Sequence, residues 1–156
     1  NMIDFIREVA PKVPNFAGIK YTHEDFMDFL SCLNYDNGRY DMLWGRDENL
    51  LSAMILGARG GVGSTFNYAA PLYHRLIDAF DRNDQETARA FQQKSVDMIT
   101  LLGRHGGIAT GKAYMRYIGL DCGEFRLPVR NMSTAGYQSF VADVKGLNME
   151  EYFSRI

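Results

Sequence analysis

Three times before residue 66 the chain reads as a short apolar strand followed by a turn or a helix-forming stretch, and that succession limits its fold more than any other feature. Phe16 to Tyr21 has strand character. A helix follows it, with Phe26, Leu30 and Leu33 recurring at intervals of four and three and Thr22-x-x-Asp25 in capping-box spacing. Tyr40 to Gly45 reads as a second strand, and a helix from about Glu48 to Gly57 places Leu51, Met54 and Ile55 on one side behind an acidic first turn. Arg59 to Thr65 is a short glycine-rich third strand. Consecutive strand-then-helix units imply parallel strands joined by right-handed crossovers, hence an α/β fold. Parallel sheets are covered on both faces, and three strands leave two open edges, so these strands are expected to be part of a larger sheet or barrel.

The remainder reads as helix. Met2 to Ala10 sets Met2, Ile6 and Val9 on one face and stops at Pro11. Phe66 to Ala70 is expected as loop, with Pro71 opening an amphipathic helix over 72–80. Asn83-x-x-Glu86 opens a helix carrying Ala88, Phe91, Ser95, Met98 and Leu102 at steps of three and four. Ile108 to Ile118 ends at Gly119 with Leu120 placed for a Schellman cap. Further helices are expected over 136–144 and after Asn148-x-x-Glu151.

Composition excludes several classes. With 46% hydrophobic residues in 156, the chain has enough apolar material for one ordinary core. Its 17 basic and 19 acidic residues are interspersed, which argues against a nucleic-acid partner or an anionic membrane surface. Cys32 and Cys122 lack ligand spacing and read as free thiols of a reducing compartment, so zinc is not expected and the cytoplasm is the default location. No apolar run approaches the roughly 20 residues needed to span a bilayer, and the opening residues lack the pattern of a signal peptide.

Ligands of parallel α/β folds sit at the carboxyl ends of the strands. The residues there are Lys20 with Thr22, Gly45 with Asp47 and Glu48, and Gly63 with Ser64 and Thr65. Lys20 ends an apolar strand; a lysine buried in that way has a lowered pKa and becomes a nucleophile toward carbonyls. Gly18 shares its face by period two and opens space below it. The set offers a nucleophile, hydroxyls and carboxylates, and suits a hydroxylated organic substrate with a carbonyl. A plainer reading has Lys20 reaching water along its stem, and Asp47 and Glu48 serving only the dipole of a helix start. The glycine run lacks the lysine of a phosphate loop. His23, His74 and His105 have no partner by spacing.

Taken together, Gly18-Ile19-Lys20-Tyr21-Thr22, Gly45-Arg46-Asp47-Glu48 and Gly60-Gly61-Val62-Gly63-Ser64-Thr65-Phe66-Asn67 resemble, in order and spacing, the N-acetylneuraminate lyase group of the dihydrodipicolinate synthase and lyase family. That family comprises lysine-dependent aldolases on a (β/α)8 TIM barrel with extra carboxy-terminal helices, usually tetrameric. The resemblance implies that residues 1–70 are a barrel segment carrying the Schiff-base lysine and that 71–156 are the last barrel helix and a helical tail. The chain would begin after the fifth barrel strand.

The same resemblance implies that Lys20 forms the imine with pyruvate or a keto substrate, that Thr22 lines the pocket, and that Gly45, Asp47, Glu48 and Ser64 hold a polyhydroxylated tail, with Gly63 beside them. It implies no metal or organic cofactor and a homo-oligomer acting on a sialic acid or related 2-keto sugar acid. The family's carboxylate-binding hydroxyl loop and proton-relaying tyrosine have no counterpart in these residues, and no tyrosine here matches that role. The fragment alone is therefore expected to be inactive. Alternatives are another 2-keto acid aldolase, a dihydrodipicolinate synthase-like enzyme, or a non-catalytic half-barrel that self-associates.

Overall fold

Two short parallel strands carry the first half of the chain. β1 (Gly18–Tyr21) and β2 (Asp41–Trp44) pair in the register Gly18 to Asp41, Ile19 to Met42, Lys20 to Leu43 and Tyr21 to Trp44. In the computed structural model, which describes residues 1–155, they belong to a unit spanning Asn1–Gly63; a second unit begins at Ser64. The expected third strand is reduced to a single parallel bridge between Trp44 and Gly61, made by bonds from Trp44 N–H to Gly60 C=O (3.0 Å) and from Val62 N–H to Trp44 C=O (2.8 Å). Three glycines in four residues supply almost no side chain to hold a longer ladder.

Period two divides the sheet. Tyr21, Met42 and Trp44 are buried on one face, whereas Gly18, Lys20, Asp41 and Leu43 share the other, on which none is buried. The covered face packs against α2 (Phe26–Asn34), where Trp44 is ringed by Phe26 (4.9 Å between centroids), Phe29 (4.8 Å) and Tyr21 (5.9 Å). Offset or edge-on aromatic pairs of this kind add about 0.5–1.5 kcal/mol each beyond burial.

Helix starts in this unit differ from the sequence reading. Asp25, not Thr22, caps α2, its carboxylate accepting the Asp28 N–H at 3.0 Å; the buried side is Phe29 and Cys32, and Leu30 is exposed. α1 (Met2–Val9) buries Ile3 and Ile6 rather than Met2. The helix after β2 begins with a single tight turn at Asp47–Asn49 and continues as α3 (Leu50–Ile55), burying Leu50, Leu51 and Ala53 and leaving Ile55 exposed.

The second unit is helical. α4 (Phe66–Asp81) starts five residues before the expected proline, because Phe66 to Ala70 is helical, not loop. The helix breaks at Ala69 (φ −132°, ψ 31°), which accommodates the ring and missing N–H of Pro71. α5 (Gln85–Arg104) is capped by Asp84, whose carboxylate accepts the Thr87 N–H at 3.1 Å; Asn83 takes a left-handed turn instead of capping.

α6 (Ala109–Tyr117) closes with the expected Schellman bonds, Leu120 N–H to Met115 C=O (2.9 Å) and Gly119 N–H to Arg116 C=O (3.1 Å). α7 (Thr134–Gly146) is capped by Ser133. Tyr68 stacks on Tyr114 (4.5 Å), which meets Phe140 edge-on (4.7 Å) and donates its hydroxyl to Met98 C=O (2.9 Å). His105 has a partner that spacing did not reveal: its Nε2 lies 2.8 Å from Asp143 Oδ2 on α7. Among the described residues no helix is long and apolar enough to cross a membrane.

Candidate active site

The site begins where β1 ends. The strand exposes Lys20 on the less covered face and turns Tyr21 into the core, which agrees with the plainer reading of a lysine that reaches water and not with that of a buried one. Its side chain borders a cleft of about 420 Å³ together with Tyr21, Thr22, His23, Asp25 and Asp28 and the start of α1.

Two close approaches bring the strand ends together. A Cβ on Gly45 would overlap Thr22 Oγ1, and Gly45 N–H donates to Tyr21 C=O at 2.8 Å, continuing the ladder one residue past β2. A Cβ on Gly63 would overlap the carboxylate of Asp47, which is 5% exposed. Glycine at both positions is thus a steric requirement of the site. Lys20, Thr22, Gly45, Asp47, Glu48 and Gly63 all sit at the carboxyl ends of the parallel strands. Ser64 follows Gly63 in the chain and begins the second unit, exposed, its carbonyl accepting Asn67 Nδ2 at 3.0 Å.

Glu48 is held by a residue that the sequence reading passed over. Arg46 donates from Nη2 (2.6 Å) and Nε (3.1 Å) to Glu48 Oε1, and its Nη2 also lies 2.7 Å from Oε1 of Glu24 in the loop after β1. The one local signal was an arginine flanked by acids across two strand-end loops.

Below the lysine, Asp28 anchors the framework. Its oxygens accept the N–H groups of Met2 (2.8 Å) and Ile3 (3.1 Å) at the start of α1 and the Tyr21 hydroxyl (3.0 Å). Burial opposes ionisation of Asp28, but these three donors outweigh it and hold its pKa below the usual carboxylate value. Burial, then the Asp28 carboxylate, pushes the Tyr21 phenol well up. Burial, with the Asp28 charge added, raises the Cys32 thiol to about 11, which makes it an inert core group.

An amine on an open sheet face, a hydroxyl beside it and two carboxylates at the next strand end can form an imine and accept hydrogen bonds from a hydroxylated molecule. Residues 2–147 match the model of the dihydrodipicolinate synthetase family. The chain belongs to that family.

Among relatives within it, the N-acetylneuraminate lyase of Rattus norvegicus is 34% identical over 145 residues, covering 90% of this chain and 45% of that protein. The enzyme of the same name from Gallus gallus is 35% identical over 147 residues, covering 92% and 46%. The solved structure of Proteus mirabilis N-acetylneuraminate lyase superposes with a TM-score of 0.90 at 35% identity, covering 94% of this chain and 50% of that one. The chain thus spans about half the length of the family members it matches.

Proposed function

We propose that the chain is the carboxy-terminal part of a Schiff-base aldolase of the N-acetylneuraminate lyase type, with a barrel segment over 1–70 and a helical extension over 71–156. The observation that carries this reading is the convergence of Lys20, Thr22, Gly45, Asp47 and Glu48 at the carboxyl ends of two parallel strands in register, with Gly45 packed on Thr22 and Gly63 on Asp47.

In the proposed reaction the Lys20 amine adds to the C2 keto carbon of N-acetylneuraminate and water leaves, forming an iminium. The C4 hydroxyl gives up its proton, the C3–C4 bond breaks, and its electron pair moves into the iminium to form an enamine. The aldehyde released is N-acetylmannosamine; protonation of the enamine carbon and hydrolysis then return pyruvate and free Lys20. No metal or organic cofactor enters this scheme. Thr22 borders the keto-acid end, and Asp47, Glu48, Gly45, Gly63 and Ser64 take the hydroxylated tail. In the cell the working protein is proposed to be a cytoplasmic homo-oligomer.

These residues contain no carboxylate-binding hydroxyl loop and no proton-relaying tyrosine, so 156 residues alone are proposed to be inactive. Borohydride reduction with pyruvate tests this: no mass adduct on Lys20 is expected in the isolated chain, whereas a protein that supplies the other half of the barrel gives one. Lyase assays of that longer protein on N-acetylneuraminate and on deoxy-keto sugar acids separate the first reading from another 2-keto acid aldolase or a dihydrodipicolinate synthase-like enzyme.

A second reading is favoured by the uncovered face of β1 and β2, since parallel sheets are rarely left bare. In it the chain is a non-catalytic half-barrel that buries this face against another copy. A mass measurement in solution decides: a well-folded monomer removes this reading.

A further inference from the structure

We infer that Arg46 is a positioning residue that sets the orientation of Glu48 and fastens the loop after β1 to the loop after β2, thereby tuning the site for a hydroxylated ligand. The inference rests on the reading of Glu48 as a hydroxyl acceptor. Three contacts carry it: Nη2 and Nε of Arg46 on Glu48 Oε1 at 2.6 and 3.1 Å, and Nη2 on Glu24 Oε1 at 2.7 Å.

Both bonds to Glu48 fall on the same oxygen. Arg46 therefore pins Oε1 in place and leaves Oε2 as the acceptor for an outside hydroxyl. A planar guanidinium with donors at fixed angles can do this, where an ammonium acts only as a point charge. Arg46 also sits between two acids that would otherwise repel one another across the strand ends. Glu24 lies two residues after Thr22, and Glu48 one residue after the buried Asp47, so the clamp ties together the loops that bear both parts of the site. The arginine side chain is about one-third exposed (31%) and Glu48 equally so (33%), placing the pair at the rim where ligand enters rather than in the core.

The first test uses the chain as it is and needs no activity. Amide hydrogen exchange is compared in the native chain and in R46Q, R46K and E24Q. R46Q is expected to speed exchange on the order of fivefold at residues 22–25 and 47–49 while the amides within β1 and β2 are unchanged. E24Q speeds only 22–25, and R46K restores most of the protection by keeping the charge between the acids. Unchanged exchange in R46Q overturns the inference.

The second test titrates N-acetyl-D-mannosamine and follows the amide signals of Asp47 and Glu48. R46Q is expected to weaken binding at least fivefold, and R46K to recover part of it. If the native chain binds the sugar and R46Q binds it equally well, the positioning role is overturned while the sugar-acid reading stands. If the isolated chain binds no sugar, the same titration is made in a protein that completes the barrel: equal binding by native and R46Q proteins there overturns the positioning role, and no binding by the completed native protein overturns the sugar-acid reading and with it the assignment of a hydroxylated ligand to Arg46.

Discussion

The carboxylate of Asp47 occupies the space that a side chain at residue 63 would need. This contact joins the loop after β2 to the end of the glycine-rich segment, and it works only because residue 63 is glycine and Asp47 is buried in a fixed place. G63A must therefore move the carboxylate or the backbone. Overpacking of this kind costs about 1–3 kcal/mol. Urea denaturation should show that loss, and G45A, whose Cβ meets Thr22 and the Tyr21 carbonyl, should show a loss of the same kind.

The buried anchor Asp28 gives a pH signature. Its folded pKa is depressed, so its contribution is fully present above the unfolded value of about 3.9 and is lost as pH falls through the lower folded value. D28N keeps one acceptor oxygen, enough for the Met2 or the Ile3 amide but not both, and no charge at the start of α1, and is expected to cost about 1–3 kcal/mol near neutrality. That difference should hold constant above roughly pH 5 and shrink below about pH 4. Denaturation series at several pH values measure it. A difference that stays constant down to pH 2 would show that folding does not lower the pKa of Asp28.

Trp44 tests the aromatic face of the sheet. It is 1% exposed, stacks on Phe26, and donates Nε1–H to Asn49 at 2.9 Å, so it ties β2 both to α2 and to the helix that follows. Replacing it by alanine removes the largest side chain of this core and should cost about 3–5 kcal/mol. W44F keeps much of the stacking and should lose less. The order of midpoints, native above W44F above W44A, checks the assignment.

What the residues announced and what they withheld divides along a physical line. The short apolar runs Phe16–Tyr21 and Tyr40–Gly45, each bounded by turn-forming residues, were enough to place both strands and to put Lys20 near a strand end, because strand composition and turn chemistry are local. The Schellman cap at Gly119 and Leu120 was equally legible. Thr22 and Asp25 are both good capping residues, and nothing local decides between them; the bond from the Asp28 N–H does. The third strand looked real in its glycines, yet it holds one bridge because ladder length depends on what packs over it. His105 and Asp143 are 38 residues apart, so no spacing rule could join them. The exposure of Lys20 was the least accessible property, since burial depends on what packs over a whole sheet face and not on the strand itself.

That exposure leads to the last prediction. Lys20 is exposed and outside the buried core, so K20M in the isolated chain should leave stability within about 0.5 kcal/mol of the native value. A lysine retained for the fold would behave otherwise: a loss of 2 kcal/mol or more, of the size seen when buried partners are removed, would mark it as structural. In a protein that completes the barrel, the same substitution should abolish the borohydride-trapped pyruvate adduct entirely, while R46Q should leave the adduct with pyruvate in place, because pyruvate has no hydroxylated tail to reach Glu48. Persistence of the adduct in K20M would place the imine on another lysine and remove Lys20 from the site. Thermal denaturation and intact-mass analysis of the two variants, side by side, give both answers.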